Sequence, residues 1–287
     1  MIKRFLRTYK LRKLVREGLP NPIVPALQFL VEGVLDERAQ AVAKKVEAIR
    51  AQIAARGNER VDILYSPLPG SSGTEASADM RPAHGEVMQF TMAQVANTGK
   101  KQQWATALYL LAEASKAKVI LELGSCAGIS ACYLASSPYC KVLHTIEGAP
   151  ALARLAQESL NKVGSNGVVH AALFDEALDK LLPVIEPIGF AYIDGHHEKV
   201  ATIHYWQRIA PKLAPGAMVV FDDISWSNDM RACWDHIVEQ PKFTDAFDLG
   251  TIGVCIAGGQ AKPRIWDLQG VVGRTPIGQP HGWKKAS

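Results

Sequence analysis

Residues Val119–Ala135 read VILELGSCAGISACYLA. An apolar run, Val119–Leu123, leads into a turn bracketed by glycines, Gly124-Ser-Cys-Ala-Gly128, and then into a helical pattern. A short apolar run stopped by glycine and continued as a helix is the opening unit of an α/β sheet. Dinucleotide sites place Gly-x-Gly-x-x-Gly at such a turn. Here the second and third glycine positions hold Cys126 and Ile129. That spacing fails, which argues against a nicotinamide or flavin enzyme.

The pattern outside this stretch agrees with a sheet. Apolar runs at 119–123, 141–146, 167–173, 188–193 and 217–222 alternate with helical segments near 127–136, 150–163, 175–183, 199–213 and 227–239. Such alternation predicts a parallel sheet covered on both faces. Phe247–Leu249 and Ile252–Ile256 meet across Gly250 with no helix between, which predicts a hairpin at the sheet's edge. The expected fold is therefore α/β: a Rossmann-like doubly wound sheet of seven strands, mostly parallel with an antiparallel edge hairpin, plus a helical N-terminal extension. Within that extension, residues 26–56 read as one long helix. Residues 66–85 hold Pro67, Pro69, Gly70, Gly73 and Pro82 and read as a functional loop. Residues 86–115 return to helix, with Trp104, Leu108, Leu111 and Ala112 on a buried stripe.

The spacing that the turn does satisfy is acid-x-Gly-x-x-x-Gly, Glu122 to Gly128. It resembles the first motif of class I S-adenosylmethionine-dependent methyltransferases. Gly124 lets the backbone turn tightly against a ligand, and Gly128 clears the entry to the helix. The resemblance implies that Glu122 faces the cofactor's ammonium, while Ser125, Ser130 and loop amides hold its carboxylate. The second strand ends in Glu147, 25 residues past Glu122. An acid at that tip is where nucleotide folds bind ribose hydroxyls. After the third strand, Phe174 is placed to stack on the adenine or Asp175 to accept from its amine; an Asp there is as often a helix cap.

The fourth strand runs into Asp194-Gly195-His196-His197 and the fifth into Asp222-Asp223. Ligands of open α/β sheets sit off the carboxyl ends of the strands. Three carboxylates brought together there repel one another unless a cation lies among them. The arrangement resembles the metal-dependent O-methyltransferases of the catechol O-methyltransferase type and the bacterial antibiotic and sugar O-methyltransferases. The resemblance covers about residues 95–257 and implies Mg²⁺ held by Asp194, Asp222 and Asp223. Those families carry an acidic pair or Asp-Asn after strand five; this chain has Asp222-Asp223. His197, three residues past Asp194, is the candidate base for an acceptor hydroxyl, with His196 the alternative; His196 also reads as a metal ligand or a core residue. Thr98-Gly99-Lys100 lies where those relatives place a cofactor-covering segment. The expected division is an N-terminal extension and loop over 1–85, a methyltransferase domain over 86–257 and a tail over 258–287.

Composition narrows the partners. Of 287 residues, 48% are apolar and 21% charged, ordinary for a globular protein. Seven of the 32 basic residues and one of the 28 acidic residues fall within residues 1–17, so the body carries a net charge of −2. That balance speaks against nucleic acid as the substrate and against an RNA methyltransferase. It leaves a small hydroxylated molecule as the expected acceptor. The basic start, with Phe5, Leu6 and Tyr9, reads either as a membrane- or partner-docking arm or as a solvated arm packed on the body or on a second copy. A non-catalytic cofactor-binding scaffold with such an arm is the alternative to an enzyme. Five cysteines without a Cys-x-x-Cys pair fit a reducing cytoplasm.

Overall fold

The computed structural model describes residues 2–64 and 85–278. The N-terminal part is helical: α1 (Ile2–Arg16), α2 (Val24–Glu32) and α3 (Glu37–Ala55). The single helix expected over 26–56 is thus two. Gly33 ends α2 in the left-handed region, and Asp36 starts α3 by accepting the Ala39 N–H at 2.7 Å. Ala39, Ala43, Val46, Ile49 and Ile53 are buried at helical spacing and seat α3 on the body. On α1, Leu11 is buried while Phe5, Leu6 and Tyr9 face solvent.

A two-stranded antiparallel sheet follows, β1 (Arg60–Leu64) paired with β2 (Val87–Thr91). The expected loop between them lies mostly outside the described residues. Sequence patterning had extended helix from residue 86. Instead Thr91 closes a capping box with Gln94, starting α4 (Met92–Thr98), and α5 (Gln102–Ser115) comes after a break at Gly99–Lys101.

The main sheet alternates with helices: β3 (Val119–Leu123), α6 (Ile129–Ala135), β4 (Val142–Glu147), α7 (Pro150–Val163), β5 (Gly167–Ala171), α8 (Phe174–Leu181), β6 (Ile188–Ile193), α9 (Lys199–Ile209), β7 (Leu213–Phe221) and α10 (Asn228–Val238). It ends with β8 (Phe243–Asp248), β9 (Gly253–Ala257), β10 (Arg264–Asp267) and the short α11 (Gln269–Val272). The spatial order is β10-β8-β9-β7-β6-β3-β4-β5. Strands β3 to β7 are parallel, and β9 runs antiparallel to both β7 and β8. The hairpin expected from Gly250 is present. An eighth strand, β10, lies outside it, parallel to β8, in the segment read as a surface tail.

Strand periodicity builds two cores. Ile120, Phe190, Tyr192, Met218 and Val220 face the N-terminal helices, while Leu121, Leu123, Ala191, Ile193, Val219 and Phe221 face α8, α9 and α10. Register then positions the site. Leu123 lies beside both Ile146 and Ile193, and Ile193 beside Phe221. The residues that follow, Gly124, Glu147, Asp194 and Asp222, therefore leave the sheet abreast. The chain order reverses between β3 and its neighbour β6, which opens a crevice at their carboxyl ends.

Candidate active site

That crevice is a cleft of about 290 Å³. Its walls include Gly124, Ser125, Cys126 and Ser130 from the glycine loop, Glu147 from β4, Asp194 and His197 after β6, and Asp222 and Asp223 after β7. Gly99, Lys100 and Trp104 close it from the N-terminal side.

The loop needs its two glycines. Gly124 has φ +90°, and a Cβ there would lie 1.8 Å from the Asp194 carbonyl oxygen. Gly128 has φ +79°, and its Cβ would lie 2.8 Å from the Ala156 Cα, so its absence lets α6 approach α7. The Gly124 and Ser125 amides donate to the Ile146 carbonyl at 3.0 and 3.3 Å. The Cys126 amide donates to Glu147 Oε2 at 2.8 Å, and the Ala149 amide to Oε1 at 2.9 Å. Burial nevertheless holds the Glu147 carboxyl above its usual range. A carboxylate offers about four acceptor positions, so Glu147 keeps capacity for two further hydroxyls.

Several expected cofactor residues stand elsewhere. Glu122 is fully buried and is not part of the cleft wall. Thr145 donates to its Oε2 at 2.5 Å, and burial pushes its carboxyl up to about 7. Phe174 packs edge-on against Tyr205 in the second core, with ring centroids 5.2 Å apart. Asp175 pairs with His204 at 2.7 Å and with Arg208 at 2.5 Å, away from the cleft. The strand alternation that buries β3 and the amphipathic packing of α8 account for these placements.

At the acidic edge, Tyr192 donates to Asp194 Oδ2 at 2.9 Å. His197 Nε2 lies 3.6 Å from Asp194 Oδ1 and 3.9 Å from Asp223 Oδ2. Its ring stacks on Trp226 at 5.1 Å. His196 turns away, its ring beside Phe174 and Tyr205, which matches the core reading for it. Ser227 caps α10, its side chain accepting the Met230 N–H. Cys126, His196, His197 and Asp223 all have left-handed backbone, with φ of 48°, 62°, 49° and 48°.

The cation among these carboxylates is Lys100. Its ammonium contacts Asp222 directly and lies 3.6 Å from Asp223 Oδ1. Burial opposes the ammonium, but Asp222, Asp223 and Asp194 outweigh it and hold Lys100 above the usual lysine range. Asp194 is in turn raised by burial and by repulsion from Asp222 and Asp223, and Asp222 by burial and by repulsion from Asp223, with Lys100 opposing in both. Among the described residues, no three His, Cys, Asp or Glu side chains converge as a metal site. The three carboxylates expected to ligate Mg²⁺ do not fit it as they stand: the chain's own ammonium is already paired with Asp222 and lies beside Asp223.

Residues 121–224 match the methyltransferase domain family. That stretch, about a third of the chain, is thus similar to methyltransferase domains. The chain is 32% identical over 122 residues to a catechol O-methyltransferase of Niastella koreensis, a match covering 41% of this chain and 54% of the relative. The chain thus spans about half the length of that relative. In fold, it is similar to an O-methyltransferase from Bacillus cereus in complex with SAH, at a TM-score of 0.50 and 21% identity, over 57% of this chain and 85% of that one. A cofactor-bound protein from MTB aligns over 85% of this chain and 100% of its own, with a TM-score of 0.50 and 21% identity.

Lys100, Trp104 and Trp226 complete the cleft: Trp104, expected on the buried stripe of its helix, is half-buried and faces the cleft instead, and sequence spacing gave no reading for Trp226. Lys100 was visible only as part of a covering segment. Among the described residues, no helix is long and apolar enough to cross a membrane.

Proposed function

We propose that this chain is an S-adenosylmethionine-dependent methyltransferase acting on a hydroxyl oxygen of a small molecule. The observation that carries this reading is the single cleft in which the glycine loop, the Glu147 carboxylate and His197 face one another at the strand tips. The catechol O-methyltransferase relative supports oxygen as the acceptor atom.

The cofactor, when bound, supplies an electrophilic methyl group. The chain's residues supply the rest. Glu147, already fixed by the Cys126 and Ala149 amides, has the free acceptor positions that ribose hydroxyls need. The absence of a side chain at Gly124 leaves the backbone close to the cleft floor. His197 takes the proton of the acceptor hydroxyl at Nε2. Asp194, 3.6 Å away, stabilises the imidazolium that results, and Trp226 keeps the ring in plane. Trp104 and the N-terminal segment cover the cleft and hold the reactants at near-attack distance.

The test is direct. The purified protein is titrated calorimetrically with adenosylhomocysteine. It is then incubated with methyl-labelled adenosylmethionine and a panel of hydroxylated aromatics and sugars. Saturable binding and label on acceptor oxygen are expected. Failure to bind the cofactor, or label on nitrogen or on RNA, would overturn the reading.

A further inference from the structure

The carboxylate edge of this site already contains a cation, and the fold goes to some length to put it there. Lys100 belongs to the break between α4 and α5, a segment with no regular structure of its own. Arg50 on α3 holds that segment and the end of α4 by their carbonyls. Its Nη1 donates to Ala96 O at 2.9 Å and its Nη2 to Lys100 O at 2.5 Å. Arg50 is itself fixed by Glu47, whose Oε2 accepts from Nε at 2.8 Å. Glu47 Oε1 also accepts the Tyr133 hydroxyl of α6 at 3.1 Å. A chain of polar contacts therefore runs from the helix behind the glycine loop, through the N-terminal extension, to the backbone of Lys100. At its end the Lys100 side chain is only 10% exposed and its partner Asp222 only 2%.

We propose that Lys100 is the resident cation of this site, a tethered ammonium that takes the place a divalent ion would need among Asp194, Asp222 and Asp223. The electrostatics are direct. The buried Asp222, flanked by the half-buried Asp194 and Asp223, must be neutralised, and one ammonium in contact with Asp222 and 3.6 Å from Asp223 does so. A divalent ion coordinated by the same oxygens would have to sit within van der Waals contact of that ammonium, and the like charges repel. The site is thereby independent of divalent cations. The N-terminal extension gains a function: it carries the clamp that seats this cation. The proposal rests on the methyltransferase reading for its relevance to catalysis, but not for its test.

That test is a Mn²⁺ titration followed by electron paramagnetic resonance, run on the whole wild-type chain and on Lys100→Ala and Lys100→Gln. Glutamine keeps a donor for Asp222 and guards against a variant that fails to fold. Wild type is expected to leave the free Mn²⁺ signal unchanged. At least one variant, freed of the ammonium, is expected to bind Mn²⁺ about ten-fold more tightly or better. Methyl transfer by wild type is expected to survive a chelator within about two-fold, and to fall about 100-fold in the variants. A wild-type chain that binds one Mn²⁺ at least as tightly as the variants overturns the proposal, as does loss of wild-type transfer in chelator. Absence of transfer to every acceptor overturns the methyltransferase reading alone, since the Mn²⁺ titrations still decide the place of Lys100.

Discussion

The Glu147 carboxylate accepts the backbone amide of Cys126 at 2.8 Å, so the tip of β4 and the middle of the glycine loop are one unit. Glu147→Gln keeps the shape, loses the charge and turns a donor toward one of two amides. Loss of a charged acceptor of this kind costs about 1.5–3 kcal/mol, or about a 10- to 100-fold weaker Kd for adenosylhomocysteine. Calorimetry checks this, with circular dichroism confirming the fold. Unchanged affinity would show that Glu147 serves only the loop.

Gly124 is confined by Asp194. A methyl group there would overlap the Asp194 carbonyl at 1.8 Å, and φ +90° is itself unfavourable for alanine. Gly124→Ala is expected to lower unfolding free energy by about 2–4 kcal/mol and to abolish measurable cofactor binding. Denaturant titration and calorimetry give the two readouts.

Glu122 predicts a pH dependence. Burial, with a smaller contribution from Glu147, pushes its carboxyl up to about 7 from the ordinary 4.5. The folded chain therefore holds a proton that the unfolded chain releases first. The stabilisation is complete below about pH 4.5 and is lost as pH rises through 7. Glu122→Gln mimics the protonated form at all pH values. Its unfolding free energy relative to wild type should increase by up to about 3 kcal/mol between pH 4.5 and pH 8. Comparing the two chains cancels the other titrating groups. A difference that does not change with pH would refute the assignment.

His197→Ala tests the base. Single-turnover transfer at saturating cofactor is expected to fall about 10²- to 10⁴-fold, with adenosylhomocysteine affinity unchanged. Turnover that is unaffected sinks the role.

The strands of the main sheet were legible because burial on both faces makes them near-continuous apolar runs. Their parallel register then carried Glu147, Asp194 and Asp222 to one edge, as spacing along the chain implied. The short strands escaped. Arg60–Leu64 holds Arg60 and Asp62, and its partner begins at Val87, so neither has a local signal. Lys100 was hidden for a related reason. Its partner Asp222 is 122 residues away, and a lone lysine has no periodicity. Glu122 misled because its place in the motif suggested a ligand, whereas its cross-strand neighbour Thr145 claims it inside the sheet.

The backbone around the cleft has a price in thermal reserve. Among the described residues, Cys126, His196, His197 and Asp223 hold left-handed conformations without being glycine. Each such residue costs on the order of 1–3 kcal/mol. Selection for heat resistance alone would favour glycine at these four turns and dismantle the cleft in the process. Selection for turnover keeps them, so this edge of the sheet is where activity and durability compete most directly.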